Sequence, residues 1–164
     1  IFTKTMNYAC KKYSDLIVAS NEEIKITFND LKNHKFDISE NIGELVVKNK
    51  SISFQDMQSV QRAFEKYFGI QLERDEYTND IIFALASRHI IVHKSAVVDS
   101  KFEQQIKDAN NRDIKVKLEL DQKIQFETSE VEMVQNSMNI YINNLINKIN
   151  DKISVMEIDA ISID

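Results

Sequence analysis

A mainly α-helical bundle, with one small β-hairpin before a last long helix, is the fold class this sequence predicts. Three observations predict it. Proline is absent and glycine occurs only as Gly43 and Gly69, so little in the chain breaks a helix. Apolar residues recur at helical spacing over most of the length. Between Ile114 and Phe126 that period gives way to strict alternation, the pattern of paired strands.

Taken in order, Lys4–Ala19 reads as a helix, with Tyr8, Lys12, Asp15, Leu16 and Ala19 near helical spacing. Glu22–His34 reads as helical or mixed, and Ile38–Val47 as a short periodic stretch interrupted at Gly43. The next helix is marked by Ser53 as N-cap and Asp56 reaching back to it. Its stripe is Phe54, Met57, Val60, Phe64, Tyr67 and Phe68, and Gly69 stops it. Glu76–His93 is a second strong helix, with Tyr77, Ile81, Ala84, Leu85, Ile91 and Val92 expected inward. A short helix is expected over Phe102–Ala109, with Asp99 as its cap rather than as an acid. Ile114, Val116, Leu118 and Leu120 alternate with charged residues, and Ile124 and Phe126 resume after Asp121-Gln122. This predicts a hairpin over Ile114–Glu127, although its turn lacks glycine. Ser129 and Glu132 form a capping pair for the longest helix, expected to reach Lys152 with Val131, Val134, Met138, Ile142, Leu145 and Ile149 on one face. Residues after Ile153 read as an extended tail. The inward stripes put Phe64, Phe68, Ile81, Leu85, Val134, Met138 and Leu145 in the core.

Composition narrows the function. With 164 residues, 43% apolar and 29% charged, one globular domain over 1–164 is expected. The chain opens on Ile1 rather than Met, which reads as an incomplete N-terminus and part of a larger protein. Cys10 is the only cysteine, which excludes an internal disulfide framework and a cysteine-rich zinc site, and fits a cytoplasmic protein. No stretch is apolar for long enough to cross a bilayer, and no membrane partner is expected. The net charge of −5 and pI near 5.3 argue against a bulk, nonspecific duplex binder. They leave room for a local basic cleft, or one completed by a second subunit.

The most informative segment is Arg88-His89-Ile90-Ile91-Val92-His93. Arginine is a permanent cation that forks onto phosphate, and histidine exchanges protons near neutral pH. Together they are a minimal set for breaking RNA without a metal. A base takes the 2′-hydroxyl proton, the oxygen attacks phosphorus, and an acid protonates the departing 5′-oxygen, leaving a 2′,3′-cyclic phosphate. Arginine would neutralise charge growing on the phosphoryl oxygens. No zinc or two-metal ligand spacing is present, and no cofactor is expected. Five residues along a helix turn a side chain through about 500°, leaving Arg88 and His93 about 140° apart. Either the helix ends or distorts near His93, or the two approach substrate from different sides of a dimer groove. Taken singly, Arg88 is equally at home as a solvated charge, His93 as a hydrogen-bonded structural residue, and Lys94 as a solvated lysine. His34 has no partner pattern and reads as a surface residue.

The motif and the order of elements together resemble the HEPN domains, and within them the RiboL-PSP-HEPN-like group. The resemblance spans 52–149. It includes Ile52-Ser53-Phe54-Gln55 leading into a helix, Ala63-Phe64, Tyr67-Phe68-Gly69-Ile70, the Arg88–His93 run, Val97-Val98-Asp99, a hairpin and a final helix. Members of that family are helical bundles that usually dimerise, and many are metal-independent endoribonucleases of toxin–antitoxin or antiphage systems. The resemblance implies Arg88 and His93 as the catalytic pair and His89 in the auxiliary polar position. Lys94 and Ser95 would join His89 in contacting RNA. It also implies an RNA substrate, a homodimer and an antitoxin or other defence-system partner. Two positions depart from the pattern. Lys94 stands where the group often has asparagine. Ser95 stands where members paired with a nucleotidyltransferase antitoxin have the tyrosine it modifies, which argues against that regulation. A catalytically silent HEPN-like module for dimerisation or partner sensing is the main alternative, and an unrelated helical interaction domain with an accidental motif is a third.

Overall fold

The computed structural model describes residues 1–12, 23–107, 109 and 119–161, with side chains excepted at 153 and 155–161. The chain divides into two compact units, 1–72 with 145–164, and 73–144.

In the first unit, α1 (Phe2–Lys12) buries Phe2, Thr5, Met6, Ala9 and Cys10 on one face. Residues 13–22, where the expected helix would continue, lie outside the described residues. Helix α1 packs chiefly on the helix formed by Ile42–Asn49. Gly43 lies inside that helix, not at an interruption of it. A Cβ there would sit 2.5 Å from the backbone nitrogen of Asn7 and 2.6 Å from the carbonyl carbon of Met6. The glycine is therefore the point where two backbones touch. Asn7 also accepts the Glu44 amide at 2.7 Å, satisfying a first-turn donor that the cap residue Asn41 leaves unbonded. Burial pushes the Cys10 thiol up to about 12, which leaves it an unreactive core group.

The mixed stretch before it resolves into α2 (Phe28–Asn33), closed by a Thr27–Asp30 capping box. Ile42–Asn49 is then α3, entered through a short 3-10 turn at Ser39–Asn41. Asp30 is buried, accepts from Lys48 Nζ at 2.6 Å and from Thr27 Oγ1 at 2.6 Å, and so binds α2 to α3. Lys48 first, and the Thr27 hydrogen bonds second, hold its carboxyl far below the usual range. A depressed folded-state pKa stabilises the fold above the unfolded value of about 4. That contribution is lost as pH falls from there through the folded value. Asp30→Asn is expected to lower the urea midpoint at pH 7 and to flatten its decline between about pH 4 and pH 2; an unchanged decline would show that other carboxylates carry it.

Helix α4 (Met57–Phe68) buries Met57, Val60, Ala63, Phe64, Tyr67 and Phe68, the expected stripe. Its cap is Asp56, which accepts the Ser59 amide at 2.7 Å, three residues later than the Ser53 start expected. Gly69 ends the helix in the left-handed region at φ 60°, as expected.

In the second unit, α5 (Glu76–His93) starts at a capping box between Asp75 and Thr78. It buries Thr78, Ile81, Phe83, Ala86, Ser87 and Ile90. The expected inward face was wrong at its end: Ile91 and Val92 are 46% and 57% exposed. Apolar residues ring this helix, so spacing alone favours no side. The choice is made by a core of Phe83, Ala86, Ile90, Val98, Phe102 and Ile124. Asp99 caps α6 (Ser100–Ile106) by accepting the Phe102 amide at 2.8 Å, as expected.

The β-hairpin expected over Ile114–Glu127 is corrected: among the described residues there is no strand. Its first arm, 114–118, lies outside them. The second arm pairs instead with the segment after α5. Val97 and Lys123 form an isolated antiparallel bridge, flanked by Val98 N–H to Gln122 O at 2.9 Å and Ile124 N–H to Ala96 O at 2.8 Å. Alternation here reflects Ile124 and Phe126 packing on the Phe83 core, with no run of ladder bonds.

Helix α7 (Thr128–Ile161) is the longest, as expected, and continues through the stretch read as an extended tail. Glu130 anchors its start by accepting the Glu127 amide at 2.8 Å, so Ser129 lies within the first turn. The buried line of its first half is Glu130, Ser137 and Tyr141; Val131 is exposed, and Val134 and Met138 are half-buried. Ser137 donates to Asp80 at 2.5 Å, which satisfies its buried hydroxyl. Of the expected core, Phe64, Phe68, Ile81 and Leu145 are buried and Leu85 is half-buried. Beyond residue 144, Leu145 and Ile149 are buried, Asn150 accepts from the Tyr8 hydroxyl at 3.0 Å, and Lys152 donates to Gly69 O at 3.2 Å.

Candidate functional site

Arg88, His89, His93, Lys94 and Ser95 all lie exposed at the C-terminal end of α5. Ile90, between them, is 1% exposed and plugs the core. Its carbonyl accepts the amides of Lys94 at 2.8 Å and Ala96 at 3.0 Å. Ser95 and Ala96 both take positive φ, 53° and 64°, so the chain reverses immediately after the motif. Two non-glycine residues in this region store backbone strain of about 1–2 kcal/mol each. Val98, fully buried, and the bridge at Val97 hold the reversal in place. A rigid core thus presents the motif to solvent.

The helix is regular up to His93 and ends there, with Lys94 as its cap. Arg88 and His93 are therefore set about 140° apart around the axis. The side chains brought together are His89 and His93, one turn apart, with ring centroids at 5.0 Å. Arg88 makes no hydrogen bond or ion pair among the described residues, and Ile91 and Val92 are its exposed neighbours. His34, expected at the surface, is half-buried and caps α2.

Among the described residues no three His, Cys, Asp or Glu side chains gather as metal ligands, and no helix is long and apolar enough to cross a membrane. No family model, curated protein or solved structure matches the chain. The likeness to HEPN domains rests on the quoted residues alone. Two features were not legible in the sequence: the exposed apolar pair inside the motif, and the buried line Glu130–Ser137–Tyr141, one position before the expected one. For the second, polar side chains at seven- and four-residue spacing were the available signal.

Proposed function

We propose that the chain is a metal-independent endoribonuclease of HEPN type, acting as a toxin or antiphage effector on RNA. The observation that carries this reading is the exposed end of α5, where Arg88, His89, His93 and Lys94 all reach solvent within two turns, in a chain of net charge −5. His93 moves protons, Arg88 stabilises charge on the phosphoryl oxygens, and His89, Lys94 and Ser95 hold the backbone of the substrate. One motif offers its arginine and His93 on different sides of a helix, so two motifs facing across a two-fold axis would complete the groove. The test is incubation with total and transfer RNA in EDTA, reading cleavage and 2′,3′-cyclic phosphate ends. Activity that vanishes in EDTA and returns with magnesium defeats the mechanism.

The exposed Ile91 and Val92 give a hydrophobic contact for such pairing. The chain is expected to sediment as a dimer at micromolar concentration, and Ile91→Asp with Val92→Asp to sediment as a monomer with unchanged circular dichroism. A parent chain that is monomeric yet fully active would remove the dimer from the mechanism. The same apolar pair favours a second reading, a silent module for dimerisation or partner sensing, which predicts a dimer without RNA cleavage.

A further inference from the structure

His89 and His93 lie four residues apart on α5, so about 40° separates them around the axis and about 6 Å along it. Their ring centroids are 5.0 Å apart, and both residues are exposed. Neither side chain makes a hydrogen bond or ion pair among the described residues. We propose that the two imidazoles chelate a divalent transition-metal ion of the zinc class, and that the bound ion silences the motif on α5. The chelate stands by itself, whereas the silencing rests on the ribonuclease reading.

Histidines at this spacing on one helix face can bind a single zinc ion from the same side. The separation of the rings fits such a chelate. A Zn–N bond of about 2.0–2.1 Å puts the metal about 3.2 Å from each ring centre. A tetrahedral angle at the metal then sets the ring centres about 5.2 Å apart, and a right angle about 4.5 Å. The observed 5.0 Å falls between the two, so the pair can close on a metal without a shift of the helix. The backbone beneath is fixed: Ile90 is buried, and its carbonyl accepts the amides of Lys94 and Ala96. Only two side chains have to be ordered, which keeps the entropic cost of binding small.

No third His, Cys, Asp or Glu joins the pair among the described residues, so water fills the remaining positions. Neutral nitrogen donors suit zinc, nickel and copper, whereas magnesium and calcium take oxygen ligands. The other soft donors do not compete: Cys10 is buried, and His34 belongs to the other unit. A metal on His93 occupies a ring-nitrogen lone pair, the group that would otherwise accept a proton.

The test is calorimetric titration of the full chain with zinc chloride, with magnesium chloride as the control. One zinc ion per chain is expected to bind at micromolar concentration, and magnesium not to bind. His89→Ala and His93→Ala are each expected to weaken zinc at least tenfold without changing the melting temperature, and His34→Ala to leave zinc binding unchanged. Cleavage of transfer RNA by the parent chain is expected to fall at least tenfold in saturating zinc and to return in EDTA. The cleavage left in His89→Ala should be at least tenfold less sensitive to zinc. Zinc that fails to bind below millimolar concentration, or that binds both single variants like the parent chain, overturns the proposal. Zinc that binds at the pair while cleavage continues at the parent rate overturns the silencing. A chain that binds zinc through the pair and cleaves no RNA upholds the metal site, and the silencing then falls together with the ribonuclease reading.

Discussion

His93→Ala is expected to lower RNA cleavage by about 100- to 10,000-fold, the span lost when a positioned proton-transfer group is removed. Arg88→Ala is expected to cost about 100- to 1,000-fold, as for removal of a donor to developing negative charge. Arg88→Lys should recover little, because lysine keeps the charge and loses the fork. His89→Ala should be milder, since it only orients the phosphate. All three side chains are exposed, so melting temperature should move little in each variant. Cleavage is read as the initial rate on transfer RNA in EDTA, beside a thermal melt of the same preparation. A His93→Ala chain that cleaves at the parent rate would sink the ribonuclease reading. The silent-module reading would then take its place if the dimer persists.

Gly43→Ala should be the most damaging single-methyl change in the first unit. Its new Cβ meets the Asn7 nitrogen at 2.5 Å and the Met6 carbonyl carbon at 2.6 Å. Both are backbone atoms within α1, so neither can swing aside as a flexible side chain would. Overpacking of this kind costs about 3 kcal/mol, which outweighs the gain of about 1 kcal/mol in helix propensity. The net loss should appear as a fall of about 4–8 °C in melting temperature for a chain of this size. Gly69→Ala is the comparison. There the Cβ meets only the Lys152 Nζ at 3.2 Å, the end of a movable side chain. Its cost is the left-handed φ of 60°, worth about 1–2 kcal/mol. If Gly43→Ala melts no lower than Gly69→Ala, α1 and α3 do not approach as closely as described.

Several helix boundaries whose cap partners lie within one turn were legible. Asp99 binding the Phe102 amide and Gly69 turning left-handed are contacts between near neighbours, so the sequence holds all the information they need. The span Glu76–His93 follows from the same logic at its start, where Asp75 and Thr78 bond each other. Two of the displaced starts occur where several cap-forming side chains compete. Asp56 prevails over Ser53, and Glu130 bonds Glu127 while Ser129 sits in the first turn. The motif was equally legible as a set of residues, since arginine and histidine carry their chemistry wherever they are placed.

By itself, then, the sequence determined that this chain is mainly helical, where α5 begins and ends, where α4 stops, and which side chains are equipped for phosphate chemistry. Tertiary structure alone decided which way the end of α5 and the first half of α7 face. On α5 the side turned inward depends on Phe102, Val98 and Ile124, distant in sequence, which enclose Ile90 and leave Ile91 and Val92 in solvent. On α7 the inward line runs through Ser137 because Asp80, fifty-seven residues earlier, receives its hydroxyl. Gly43 reads as a break until α1 is laid against it. Alternation at Ile124 and Phe126 reads as a strand until Val97 and the Phe83 core take up its two sides. Capping and helix propensity are settled within a few residues, whereas a buried face is chosen by whichever remote side chains exclude water from it.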